Sequence, residues 1–265
     1  EAKNVPGTPT GLKDVDKKLG GLRGGRLIVV GARPAMGKTG LALKIAQSAG
    51  QHGTALVFSI EMSKVELGLR LMATVKKLRG DLLQQPKNLS DTDMKHVFEA
   101  GDILEQHNIL VDDSQSLSVM DIRSRARQQV RKRPDVNVII IDYLQIMETR
   151  GDNPNLEYGV ISRRLKQLAR ELNVPVVLLS QLSRRVETRP NKRPIMSDLR
   201  DSGAIEQDAD QVCFIMRPEY YWNDPPIRKG EADIIVAKNR HGPVGDVAVQ
   251  WEASFASFRD LARPF

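Results

Sequence analysis

The sequence predicts an α/β fold: a central, mostly parallel sheet flanked by helices, with antiparallel strands added at the C-terminal edge. Three observations predict it. Short apolar runs alternate with stretches of helical spacing along the first two thirds of the chain, and that alternation gives parallel strands covered on both faces. One run, "RLIVVG", leads straight into "ARPAMGKTG" at residues 32–40, a strand, glycine loop and helix start of the kind that cradles phosphate. Near the C terminus the last three strand-like runs follow each other across short turns, which leaves no room for crossover helices and makes them antiparallel.

Taken in order, 26–31 reads as a short buried strand and 40–51 as a helix. A second strand spans 54–61, followed by a helix from about Val65 to Leu78. Residues 91–107 are helical, 108–113 a strand and 119–132 a helix. "VNVIIIDYLQ" (136–145) is the strongest strand. A helix follows from Glu157 to Leu172, then a strand over 174–181. Residues 182–210 read as one long irregular stretch, and loops of that length inside a domain are usually functional or disordered. "QVCFIMR", "ADIIVAK", "GDVAVQW" and "ASFRDL" complete the strands. No repeat or low-complexity tract interrupts the pattern.

The 265 residues suffice for one large domain. No apolar run approaches the roughly 20 residues of a membrane-spanning helix. The start, "EAKNVPGTPTG", has no signal-peptide core and no initiator Met, and reads as a fragment or processed chain. Cys213 is the single cysteine, so an intramolecular disulfide and cysteine-ligated zinc are excluded and a reducing cytoplasm fits. The net charge of +7 favours a polyanionic partner, but weakly, because solvated basic surfaces are common.

Four predicted strands run into polar residues: the Gly-Lys-Thr loop, Glu61, Asp142 and Gln181. Ligands of open parallel sheets bind beyond the carboxyl ends of the strands, so the four converge. Each residue type has a task there. Backbone N–H groups of the loop and helix start (Ala35, Gly37, Lys38, Thr39, Gly40) can cradle phosphates. Lys38 neutralises β/γ-phosphate charge, Thr39 ligates Mg²⁺, and Asp142 holds the ion through water. Glu61 orients and deprotonates an attacking water. Gln181 hydrogen-bonds the γ-phosphate and so reports its presence. Ala32 replaces the first glycine of the usual loop. It costs little if its φ is negative, and Gly31 just before it can relieve the bend.

Beyond this loop the chain resembles the C-terminal ATPase domain of bacterial and phage replicative DNA helicases, the DnaB-like family of the RecA-like superfamily. The matching stretches are "GTPTGLKDVDKKLGGL", "GARPAMGKT", "FSIEMS", "IRSRARQ", "IIIDYLQIM", "ISRRLKQLARELNVPVVLLSQLSR", "RPIMSDLRDSGAIEQDADQV" and "KNRHGPVG". They occur in family order over nearly the whole chain, and alanine in the first loop position is common in the family. The resemblance implies a RecA-like P-loop NTPase with ATP and Mg²⁺ as cofactors and the roles above for Lys38, Thr39, Glu61, Asp142 and Gln181. It implies that Arg70 lies near the nucleotide. It also implies that Lys238 and Arg240 are the basic pair a neighbouring subunit inserts into the ATP site; by themselves they read as a charged hairpin turn. Arg200, Asp201 and Gly203 match the loop that touches the backbone of single-stranded DNA, although the family often has glutamate where Asp201 stands. The implied assembly is a homohexamer moving 5′ to 3′ on single-stranded DNA, with primase and a helicase loader as partners.

Residues 1–265 are accordingly expected to form one motor domain, 1–20 being a lead-in, without the family's N-terminal helical domain and most of its linker. Residues 220–230, "YYWNDPPIRKG", match the family least. The arginine-rich helix over 123–133 reads as a solvated face rather than a DNA surface. Two other readings compete: a RecA-like recombination or repair ATPase that forms filaments on DNA, which should lack "SDLRDSGAIEQDAD", and an ATP-dependent assembly protein that touches no DNA, which would not need the basic 182–200 stretch.

Overall fold

Every residue of β1 (Leu27–Ala32) is buried, as expected of a strand covered on both faces. The structure, a computed structural model, describes residues 6–83, 87, 89–142, 154–199, 202–222 and 228–262. The other strands are β2 (Thr54–Ser59), β3 (Ile109–Asp112), β4 (Val136–Asp142), β5 (Val176–Gln181), β6 (Gln211–Met216), β7 (Glu231–Asn239), β8 (Gly245–Glu252) and β9 (Ser257–Asp260). They form one sheet in the order β3-β2-β4-β5-β1-β6-β7-β8-β9. Pairings from β3 to β6 are parallel and those from β6 to β9 antiparallel, so the antiparallel edge read from the closely spaced C-terminal runs is present.

Side chains alternate between the two faces with the strand period of two. Leu27, Val29, Ile139, Ile141 and Leu178 pack with α6 (Val119–Lys132) and α7 (Pro154–Leu172). Their neighbours Ile28, Val30, Val138, Ile140 and Leu179 pack with α1 (Lys13–Leu19) and α2 (Lys38–Gly50). Helices α3 (Lys64–Lys76), α5 (Asp91–Glu105) and α6 begin at serines that cap them reciprocally with an acidic residue three positions on. The short α4 (Gly80–Leu83) joins α3 to α5.

Within the 1–20 lead-in lies α1, whose amphipathic turn buries Val15 and Leu19. Two expectations need correction. The described parts of 182–210, residues 182–199 and 202–210, hold short elements: α8 (Arg185–Thr188), a 3₁₀ turn (Met196–Asp198) and α9 (Ser202–Asp208). A fork from Arg189 to Asp198, at 2.9 and 2.7 Å, folds this stretch back on itself. And Gly31 does not relieve a bend. A Cβ there would lie 2.8 Å from Leu182 and 2.9 Å from Phe214, so glycine is needed for close packing. Ala32 is ordinary strand, absent from the left-handed residues. A further short helix, α10 (Pro218–Tyr221), precedes β7.

Candidate active site

Strand register sets the site. Ala32 at the end of β1 pairs with Gln181 at the end of β5, and Ser59 at the end of β2 pairs with Asp142 at the end of β4. Between these pairs Ile141 is opposite Leu178, so Asp142 stands level with Leu179 and the four strands that carry the predicted polar residues end within two residues of one another. The loop after β1 turns through two left-handed residues, Ala35 (φ 64°) and Gly37 (φ 96°). Gly37 begins α2, where no side chain caps the helix and no acidic residue occupies the first turn. The first-turn N–H groups are thus left to an anion. Glycine is required at both 37 and 40. A Cβ on Gly37 would sit 2.6 Å from Trp251, and one on Gly40 would sit 2.2 Å from the carbonyl oxygen of Ala256.

Lys38 Nζ lies 3.1 Å from Asp142 Oδ1 and 3.9 Å from Glu61 Oε2. Thr39 Oγ1 donates to Asp142 Oδ2 at 3.0 Å. Asp142 is buried, and its Oδ1 accepts no well-directed hydrogen bond. Glu61 is half exposed, 48%. Lys38, Thr39 and Glu61 line a cavity of about 310 Å³ together with Gly37, Arg70, Gln181, Trp251 and Ala256, and Asp142 joins it through its contacts with Lys38 and Thr39. The structure thus brings together Ala35, Gly37, Lys38, Thr39, Gly40, Glu61, Arg70, Asp142 and Gln181. The arrangement offers N–H donors and an ammonium for phosphate oxygens, a hydroxyl–carboxylate pair, and a carboxylate open to water.

Sequence reasoning missed the groups that brace the loop. Arg217 Nη1 donates to the carbonyl of Ala35 at 2.9 Å, pairs with Glu219, and stacks 4.7 Å over the Trp251 ring. Arg33, inside the loop, is buried and donates to Glu187 Oε1 and to the carbonyl of Leu182. No local pattern marks either arginine as a brace of the loop, because Glu187 and Leu182 on one side and Ala35 and Trp251 on the other are distant in sequence.

Lys238 and Arg240 are not at this cavity. Lys238 pairs with Val212 near the start of β6, and Arg240 N–H donates to the carbonyl of Asp210. That is the opposite end of the sheet, about 10 Å (Lys238) to 16 Å (Arg240) down the strands from Ala32 at ordinary strand rise. Lys238 Nζ donates to the carbonyls of Glu206 and Ala209, and burial pulls its pKa down. Arg240 reaches the Gln207 carbonyl at 3.4 Å and lies 3.8 Å from Asp210 Oδ1. Gly203 is in the first turn of α9, with open space around it. Arg200 and Asp201 lie outside the described residues. On α6, Arg123 and Arg127 pair with Glu171 and Arg125 pairs with Asp112, so much of that helix's charge is answered within the fold. Cys213 is buried, its thiol pushed up to about 12 by desolvation, which makes it inert. Among the described residues no helix is long and apolar enough to cross a membrane.

Similar proteins agree with this geometry. The chain is 43% identical over 263 residues to the "Replicative DNA helicase DnaB" of Haemophilus influenzae, covering 97% of this chain and 56% of that protein. It is 41% identical over 266 residues to the protein of the same name from Geobacillus stearothermophilus, covering 98% and 58%. The chain spans little more than half of the length of these curated relatives. A solved structure described as a DnaB-like replicative helicase and its interactions with primase superimposes with a TM-score of 0.93 at 36% identity, over 98% of this chain and 63% of that one. One described as the ATPase domain of G40P does so with 0.93 at 37%, over 98% and 93%. A RadB recombinase, at 16% identity and TM-score 0.60, shares the RecA-like fold alone. Residues 7–260 match the family described as DnaB-like helicase C terminal domain, and the chain belongs to that family.

Proposed function

We propose that this chain is the ATP-driven motor of a replicative DNA helicase. The observation that carries the reading is the convergence of Lys38, Thr39, Glu61, Asp142 and Gln181 at the carboxyl end of the parallel strands. ATP binds with its phosphates on the loop N–H groups and Lys38, which leaves Asp142 for them. Mg²⁺ fits the donor set present. Thr39 offers a hydroxyl, and Asp142 offers a buried carboxylate with one oxygen lacking a directed hydrogen bond. Among the described residues no cluster of three metal-ligating side chains exists, which suits an ion that keeps most of its water and takes phosphate oxygens. Glu61 activates the attacking water, Gln181 senses the γ-phosphate, and Arg70 lies close enough to contact the nucleotide.

Lys238 and Arg240 cannot serve the cavity of their own chain, because they stand at the other end of the sheet. This supports action in trans, each subunit completing the site of the next in a homohexameric ring. Arg200, Asp201 and Gly203 grip the backbone of single-stranded DNA, and hydrolysis around the ring moves the strand, 5′ to 3′ as in the family. Primase, with which the DnaB-like relative above interacts, and a loader are the expected partners in the cytoplasm. The test is hydrolysis of ATP with and without single-stranded DNA, together with ATP-dependent separation of a forked duplex. Hydrolysis stimulated by DNA is the expected result. A chain that binds ATP but neither responds to DNA nor binds it would favour an assembly role instead.

A further inference from the structure

Arg33 is a cation inside the phosphate loop, on the wall of the nucleotide cavity, whose guanidinium is held by groups outside that loop. Its side chain is 7% exposed. Nε donates to Glu187 Oε1 at 2.9 Å, and Nη1 donates to the carbonyl of Leu182 at 2.8 Å. Leu182 follows Gln181 directly, and its N–H donates to the carbonyl of Ala32 at 3.0 Å. Leu182 also forms an antiparallel bridge with Leu199, and Ser183 N–H donates to the carbonyl of Asp198 at 2.8 Å. With Arg189 forked onto Asp198, residues 182–199 make a closed loop whose exit stands beside its entry. Both closing leucines are buried. Among the next residues are Arg200, Asp201 and Gly203, assigned to DNA above.

We infer that Arg33, with Glu187 as its counter-ion, is a positioning residue that ties the conformation of the phosphate loop to the root of the DNA-binding loop. The inference rests on the reading that ATP and single-stranded DNA are the two ligands. The physical reason is the shape of the group. A guanidinium is planar and donates in fixed directions, so bonds to two different parts of the 182–199 loop fix its orientation. The charge-assisted bond to Glu187 is anchored on its arginine side, where the guanidinium is buried. Displacement of the loop backbone, as Lys38 turns from Asp142 to phosphate, passes through Arg33 to Leu182 and from there across the bridge to Leu199. The same link runs backwards, since coupling between two binding sites is reciprocal. A lysine at 33 would offer rotatable donors with no fixed plane, and would not fix the orientation.

Glu187 is the residue to alter. It is partly exposed on a four-residue helix, and it lines no part of the nucleotide cavity. Glu187→Gln and Glu187→Ala would be compared with the unaltered chain in three measurements: thermal midpoint, affinity for a fluorescent non-hydrolysable ATP analogue, and hydrolysis with and without oligo(dT). The expected result is nucleotide affinity and basal hydrolysis within about two-fold of the unaltered chain, while stimulation by oligo(dT) falls about five-fold or more, the lower end of ordinary coupling between sites. Adding Glu187→Gln to Arg33→Lys should cost nothing further, because both changes break one link. Undiminished stimulation in both Glu187 variants would overturn the inference and leave the motor reading intact. Loss of nucleotide binding together with thermal stability would also overturn it, marking Glu187 as a structural brace. An unaltered chain that shows no response to oligo(dT) would overturn the motor reading and the inference together.

Discussion

The hydroxyl of Thr39 donates to Oδ2 of Asp142 at 3.0 Å, joining two residues 103 positions apart. This contact and the Lys38–Asp142 pair at 3.1 Å tie the start of α2 to the end of β4. The same atoms are those a hydrated Mg²⁺ would engage. Thr39→Ala should therefore reduce Mg²⁺-dependent ATP affinity and slow hydrolysis, with the fold intact. Titration of nucleotide binding with Mg²⁺ checks it. An unchanged Mg²⁺ dependence would place the ion elsewhere.

Lys38→Ala should abolish hydrolysis and weaken ATP binding, because phosphate charge loses its partner. It should also lower the thermal midpoint. Lys38 is the cation beside a buried Asp142, and stripping a buried pair of one partner typically costs about 3–5 kcal/mol. Adding Asp142→Asn should recover part of that stability without recovering activity. Thermal denaturation of the three variants is the check, and no recovery would show that Lys38 contributes through packing instead.

Glu61→Gln should retain ATP binding and cut turnover by roughly 10²–10⁴-fold, the usual worth of a positioned base. Its half-exposed carboxylate is free to meet water. Single-turnover hydrolysis beside a binding titration separates the two effects, and turnover within a few-fold of the unaltered chain would move the base to another residue.

Glycines 37 and 203 should respond in opposite ways. Gly37→Ala combines a φ of 96° with a Cβ 2.6 Å from Trp251, so it should destabilise the domain by about 1–3 kcal/mol or more. Gly203→Ala meets nothing within 4 Å and should leave the thermal midpoint unchanged, so that any loss of DNA affinity is a loss of contact with DNA.

Arg200→Ala should weaken single-strand binding equally for all homopolymers and flatten its salt dependence, about −0.7 per phosphate neutralised. Residues 182–210 contain no aromatic side chain that could stack on bases. Affinities for several homopolymers at several salt concentrations provide the check. An effect confined to one base would assign Arg200 to base contact.

Much of this was legible in the chain because the signals were local. Unbroken apolar runs marked strands buried on both faces, and Gly-Lys-Thr after a strand marked the loop. Glu61, Asp142 and Gln181 were found because a parallel sheet aligns its strand ends, so position along each strand was enough. Arg33 and Arg217 were not legible: their partners, Glu187 and the Ala35 carbonyl, are brought to them by tertiary packing. Gly31 was misjudged for the same reason, since its constraint comes from Leu182 and Phe214. The order within 182–199 was also hidden, because it depends on the Arg189–Asp198 fork and the Leu182–Leu199 bridge.

The central claim is that each ATP site is completed by a neighbour, and subunit mixing tests it most directly. Arg240 lies beside Asp210 at the far end of the sheet from Lys38, so one chain cannot supply both to one site. Lys38→Ala and Arg240→Ala chains, each inactive alone, would be mixed over a range of ratios with subunit exchange verified by fluorescence. The account predicts that hydrolysis reappears in the mixture and peaks at intermediate ratios, where some interfaces pair an intact phosphate loop with an intact arginine. No hydrolysis at any ratio, despite exchange, would contradict it.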